Sequence, residues 1–206
     1  MRGINNIRGA IFDLDGTLLD SMPIYESIDA DLLKTIGKTA KPGIYDAIRP
    51  LSGMQVPEYL RAEYALEQSA EWIMARLDTL LYDFYARTAP VKPGAARTLE
   101  ALARQGVRMC VATATNRELV EISLKRTGLD KYFERIFTCA EEGAGKDEPT
   151  IFLKAAGFLG TELAETVVFE DSLHAILSAK RGGFPVVAVF DKSSERHRAE
   201  IERLAD

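Results

Sequence analysis

A chain of 206 residues with a formal net charge of -5 can bury one good core, or one core beside a modest second domain. Its excess of acids, without any basic stripe, excludes a nucleic-acid surface, which needs clustered Lys and Arg to neutralise phosphates. Two cysteines make no disulfide framework, no apolar run reaches membrane-spanning length, and Asn5, Asn6 and Arg8 interrupt any signal-peptide core, so we expect a soluble cytoplasmic protein that does not associate with membranes.

Ala10 to Phe12 form an apolar run that stops at Asp13, Asp15 and Gly16, the pattern of a buried strand ending in a loop. Two carboxylates one residue apart at a strand tip repel each other, so the site wants a divalent cation or a shared proton. Taken alone, Asp13 to Gly16 also fits a solvated turn, because Asp and Gly are ordinary turn residues. From Pro23 to about Thr88 the pattern is helical. Ile24, Ile28, Leu32 and Ile36 recur every four residues up to Gly37, and Trp72, Ile73, Leu77, Leu80, Leu81 and Phe84 make a second apolar stripe. Gly43, Pro50, Gly53 and Pro57 break the segment between them, so a small helical bundle is predicted.

Pro90 to Gly94 opens a new regime in which helix and strand alternate. Ala95, Leu99 and Leu102 mark a helix, Val107 to Ala112 a strand, Leu119, Val120 and Leu124 a helix closed by Gly128, and Arg135 to Cys139 a strand. Cys110 and Cys139 both read as reduced core residues of these strands. Two more strands are predicted at Thr166 to Phe169 and Pro185 to Phe190, and Ser193 to Ala205 is a charged helix or frayed tail. Alternation of this kind is the mark of an α/β fold with a parallel sheet and helices on both faces. Residues 1-19 and 90-206 should therefore form one α/β domain, Rossmann-like in plan, interrupted by a helical cap domain at 20-89. Ligands of such sheets lie beyond the carboxyl ends of the strands.

Three other predicted strand tips carry polar groups. Thr113-Ala114-Thr115-Asn116 ends a strand and starts a helix, where a hydroxyl and free backbone N–H groups suit a phosphate oxyanion; an N-cap at Thr115 or Asn116 would explain the same residues. Lys146 lies in a polar loop before an apolar helix that Thr150 can cap. Glu170-Asp171-Ser172 closes a buried strand with adjacent acids that are costly without a cation.

The string Phe12-Asp13-Leu14-Asp15-Gly16-Thr17-Leu18-Leu19-Asp20-Ser21 resembles the first signature of the haloacid dehalogenase superfamily, of the form DxDGT(L/V)xDS, and a turn has no reason to keep Thr17, Asp20 and Ser21 at those offsets. Thr113, Lys146 and Glu170-Asp171-Ser172 match the remaining signatures in order, although Asp147 and Thr150 stand where the family usually has Pro and Asp. The resemblance is to the branch with a helical cap, which includes phosphoglycolate phosphatases and β-phosphoglucomutase-like enzymes. It implies that Asp13 is the nucleophile and a Mg²⁺ ligand, and that Asp15 is the general acid/base and offers its backbone carbonyl to the metal. By the same resemblance Thr113 binds the transferring phosphoryl group with Ala114 and Asn116 beside it, Lys146 neutralises charge, Asp171 is a direct metal ligand, and Glu170 is a supporting residue or an occasional ligand.

The acid Asp15 argues against a dehalogenase, and the Gly53-Met54-Gln55 loop lacks the cap lysine of a phosphonatase-like enzyme. Sugar phosphomutases of this branch tend to carry His where Tyr25 stands and Arg near Val56, and both are absent. The expectation is a Mg²⁺-dependent phosphatase acting on a small phosphorylated metabolite such as a sugar phosphate or phosphoglycolate, as a monomer or weak homodimer. A sugar phosphomutase and a catalytically silent phosphometabolite-binding protein are the alternatives. Specificity is expected on the insert, around Ser52 to Val56 and Tyr25, and His174 is expected to have a structural or rim role.

Overall fold

In the computed structural model the described residues are 6-51 and 53-206; Ser52, named above for specificity, lies outside them. The chain divides into two compact units, Met1–Ser21 with Ala89–Asp206, and Met22–Thr88.

Five short strands, β1 (Gly9–Phe12), β2 (Arg108–Thr113), β3 (Arg135–Thr138), β4 (Thr166–Glu170) and β5 (Val186–Ala188), form one sheet in the order β3-β2-β1-β4-β5. All four pairings are parallel, with Ile11 beside Cys110 on one flank and Val168 on the other. The central strand is fully buried, as a strand with a helix layer on each face must be. Because the chain builds outward from β1 in one direction and then in the other, polar residues that follow β1, β2 and β4 meet at one edge.

The second unit is helical: α1 (Met22–Thr35), α2 (Ile44–Ile48), α3 (Gln55–Glu63) and α4 (Ala70–Arg87). Ile28, Leu32, Leu33, Leu60, Ile73 and Leu77 make its core, with Leu80 and Leu81 packed against it. Trp72 departs from the predicted stripe and is 43% exposed. It sits one position away from Ile73, so the helical turn of about 100° per residue carries it off the buried face. Its backbone N–H is instead bonded to Ser69 Oγ, the cap of α4, at 3.2 Å.

Asp29 is buried on α1, and burial pushes its carboxyl from 3.8 up to about 6, against a smaller opposing effect of its backbone hydrogen bond. A carboxyl whose folded value is raised binds its proton more tightly in the native state. Its contribution to stability is therefore fully present below the unfolded value and is lost as pH rises through about 6. Between pH 4 and 7 the wild type should lose roughly 1–2 kcal/mol, allowing for solvent screening, that Asp29→Asn does not lose. Urea unfolding of both proteins across this range checks the difference, and parallel curves would contradict it.

In the first unit the remaining helices are α5 (Ala95–Arg104), α6 (Arg117–Thr127), α7 (Cys139–Glu142), α8 (Thr150–Leu159), α9 (Leu173–Arg181) and α10 (Arg198–Leu204). Ile11, Cys110 and Val168 point to a core shared with Phe152 and Leu159 of α8, Ile176 of α9 and Ile201 of α10. On the opposite face Phe12 stacks on Phe169 with ring centroids 4.2 Å apart and meets Phe133 edge-on at 5.9 Å.

Several predicted boundaries move. The second strand runs one residue further, to Thr113, because that residue still pairs with Thr138 of β3. The third stops at Thr138, whose hydroxyl accepts from the Glu141 N–H at 3.3 Å, so half-buried Cys139 opens α7 instead of ending a strand. Thr150 does not cap α8: it is already helical, with Pro149 in the cap position. The last strand is shorter than predicted, and Phe190 beyond it is 59% exposed under the Arg198 guanidinium, 5.2 Å from its ring. The charged tail is ordered into α10.

Candidate active site

Asp13 is the first residue beyond β1, and its N–H continues the ladder to the Phe169 carbonyl of β4 at 3.0 Å. The chain then folds back on itself: Gly16 N–H bonds the Leu19 carbonyl at 2.8 Å, and the N–H groups of Leu18 and Leu19 bond the Leu14 carbonyl. Gly16 has φ +82°, and a Cβ there would lie 2.5 Å from Asp171 Oδ2. Only glycine permits both that backbone and so close an approach of the two strand tips.

Asp13, Glu170 and Asp171 each present a carboxylate oxygen within 4.8 Å of the others, and all three are buried. Lys146, 7% exposed, reaches into them from the loop after α7, pairing with Asp13 Oδ1 and with Glu170 Oε1 at 2.5 Å. Its ammonium also lies 5.9 Å from the centre of the Phe152 ring. Burial opposes the charge on Lys146, but Asp13 and Glu170 more than offset it and hold the ammonium above its usual range. For the acids the balance runs the other way. Burial pushes Asp13 up to about 8, with Lys146 pulling it down and Glu170 and Asp15 adding to the rise. Burial likewise takes Asp171 up to about 9, reinforced by Glu170, Asp13 and Asp191. Three carboxylates against one ammonium leave an excess of two negative charges when all are ionised. Hard oxygen donors with that excess fit a divalent cation.

Glu170 is the most heavily committed of the three. Its Oε2 accepts from the N–H of Asp171 at 3.0 Å and from the N–H and hydroxyl of Ser172 at 3.1 and 3.0 Å. These bonds fix the turn after β4 and turn Asp171 toward Asp13. Close by, Lys92 pairs with Asp191 at 2.7 Å and donates to the Phe190 carbonyl at 2.6 Å, pinning the segment after β5. That pair has no counterpart among the sequence expectations.

Asp15 has different company. Ser21 Oγ donates to its Oδ1 at 2.5 Å, and Thr115 Oγ1 donates to its Oδ2. Thr113 is buried at the end of β2, its hydroxyl accepting from the Thr115 N–H at 3.1 Å. Ala114 and Asn116 are exposed at the start of α6, where Asn116 occupies the cap position without a side-chain cap bond. Thr115 was legible only as a cap; its offset of two from Thr113 was the available sign that both hydroxyls face the same edge. His174 is exposed on α9. In the helical unit the hydroxyls of Tyr25 and Tyr85 lie 2.9 Å apart.

Residues 7–183 match the haloacid dehalogenase-like hydrolase family. The chain belongs to that family. Among its relatives is a phosphoglycolate phosphatase of Agrobacterium fabrum, 29% identical over 206 aligned residues that cover 94% of this chain and 84% of that one. Another is a phosphorylated carbohydrates phosphatase of Thermotoga maritima, 26% identical over 178 residues, 86% of this chain and 82% of the other. Among solved structures, a candidate beta-phosphoglucomutase of Thermotoga maritima superposes with a TM-score of 0.84 at 24% identity, covering 97% of this chain and 92% of that one. That likeness establishes the α/β Rossmann-like fold. The hydrolase family and the phosphatases among its relatives together support a phosphatase enzyme. Hydrolases of this family generally use a divalent metal, and the buried acidic trio is where this chain has the donors for one. Among the described residues no helix is long and apolar enough to cross a membrane.

Proposed function

We propose that the chain is a Mg²⁺-dependent phosphatase that hydrolyses a small phosphate monoester through an aspartyl-phosphate on Asp13. The observation carrying this reading is the buried cluster in which Lys146 bridges Asp13 and Glu170 while Asp171 stands beside them. A carboxylate oxygen of Asp13 attacks phosphorus, the bond from phosphorus to the alcohol oxygen breaks, and a proton passes from Asp15 to that departing oxygen. Water then attacks phosphorus and gives its proton to Asp15, the bond from Asp13 to phosphorus breaks, and inorganic phosphate leaves. Lys146, Thr113 and the backbone N–H groups at Ala114 and Asn116 stabilise the equatorial phosphoryl oxygens. Asp13 and Asp171 would hold Mg²⁺ with the Asp15 carbonyl, and Glu170 orients them or joins as a ligand. When bound, the ion supplies charge neutralisation and Lewis acidity.

The phosphoglycolate and carbohydrate-phosphate phosphatases among the relatives support a small phosphorylated substrate. We assign its selection to the helical unit, as a cap, with Tyr25 and residues 53–56 as contributors, and place the enzyme in the cytoplasm as a monomer or weak homodimer. Purified protein is expected to release phosphate from p-nitrophenyl phosphate with Mg²⁺ and to stop on chelation. No release from this compound or from a panel of phosphorylated metabolites would favour a silent binder. Isomerisation of glucose 1-phosphate to the 6-phosphate faster than phosphate release would favour a mutase.

A further inference from the structure

Hydrogen bonds of two different kinds reach the two carboxyls of the β1 loop. Asp13 is bound by the ammonium of Lys146, a group that only donates. Asp15 is bound by neutral hydroxyls, one on each oxygen, from segments far apart in the chain. Ser21 is wholly buried, six residues on from Asp15, at the end of the fold-back that begins at Gly16. Thr115 lies 100 residues away at the tip of β2, half-buried, and its own N–H is tied to the hydroxyl of Thr113.

From this we infer that Thr115 and Ser21 are positioning residues that fix the plane of the Asp15 carboxyl, aiming it at the leaving-group oxygen. A carboxylate anchored through one oxygen can still rotate about the bond to its Cβ. Donors on both oxygens remove that freedom, and a proton donor displaced by about 1 Å loses much of its effect. Hydroxyls suit the task because each can donate or accept, so the same two contacts serve Asp15 with or without its proton. Thr115 also joins this carboxyl to the Thr113 hydroxyl through the chain, so the two parts of the edge keep a fixed separation.

This inference rests on the phosphatase reading, and its test separates the two. Wild type, Thr115→Val, Thr115→Ser and Ser21→Ala are assayed with Mg²⁺ on p-nitrophenyl phosphate, whose leaving group departs without a proton, and on an alkyl phosphate, whose leaving group needs one. Thr115→Val is isosteric at a half-buried position, and thermal unfolding verifies that each variant is folded. Loss of orientation lowers kcat on the alkyl phosphate by at least about tenfold more than on the aryl one, within the range of general acid catalysis. KM changes less than about twofold, and Thr115→Ser restores most of the lost rate by returning a hydroxyl. Equal losses on both substrates, a change confined to KM, or failure of Thr115→Ser to rescue would overturn the inference. Crystal structures of wild type and Thr115→Val decide the matter without turnover: an Asp15 carboxyl in the same place in both overturns it. A wild type that hydrolyses neither of these substrates nor any of a panel of phosphorylated metabolites overturns the phosphatase reading instead.

Discussion

Asp13→Asn is expected to yield a folded protein that releases phosphate at least about 10⁴-fold more slowly than wild type, the scale on which loss of a nucleophile acts. A carboxamide oxygen is a poor nucleophile, and neutralising it removes one of the charges that a divalent ion would balance. The same substitution relieves crowding. Burial already drives Asp13 to about 8, so its ionised form is a cost to the native state rather than a support. Without Mg²⁺ the variant should therefore melt no lower than wild type, and the stabilisation that Mg²⁺ confers on wild type should shrink. Steady-state assays and thermal unfolding with and without Mg²⁺ give both readouts. A variant with near-normal turnover would remove Asp13 from the chemistry, and one that fails to fold would show that the loop itself depends on the carboxylate.

Lys146→Met should lower stability markedly. Among the described residues Lys146 is the cation paired with both Asp13 and Glu170, and its loss leaves their buried carboxyls without a counter-charge. Breaking a buried ion pair on one side typically costs about 3–5 kcal/mol, which for a chain of this length is roughly a 10 °C fall in Tm. Methionine keeps a flexible apolar stem and loses only the ammonium with its contact to the Phe152 ring, so the fall reports charge more than volume. Added Mg²⁺ should recover part of it, because a cation again faces the acids. Adding Asp13→Asn to Lys146→Met should also recover part of it, a non-additivity expected only of groups in contact. If Lys146→Met melts within a degree of wild type, the ion-pair account fails.

The order of strands and helices in the first unit, and the separate helical insert, could be read along the chain because local rules govern them. The buried run before Asp13, the apolar stripe ending at Gly37, and Gly128 closing α6 are each decided by neighbours a few residues away. The candidate residues Asp13, Asp15, Thr113, Glu170 and Asp171 were legible because each ends or closely follows a short apolar strand, and Lys146, in the loop between α7 and α8, was legible only through the family resemblance. Trp72, Cys139 and Thr150 misled because a single position of helical rotation, or one residue of strand length, reverses exposure or capping, and only packing sets that register. Who holds whom at the sheet edge was likewise decided in three dimensions. That Lys146 serves both Asp13 and Glu170, that Glu170 turns its second oxygen to the backbone of its own turn, and that Thr115 and Ser21 share the carboxyl of Asp15 depend on contacts across as many as 133 residues. Distances of that kind exist only once parallel pairing has fixed which strand lies beside which.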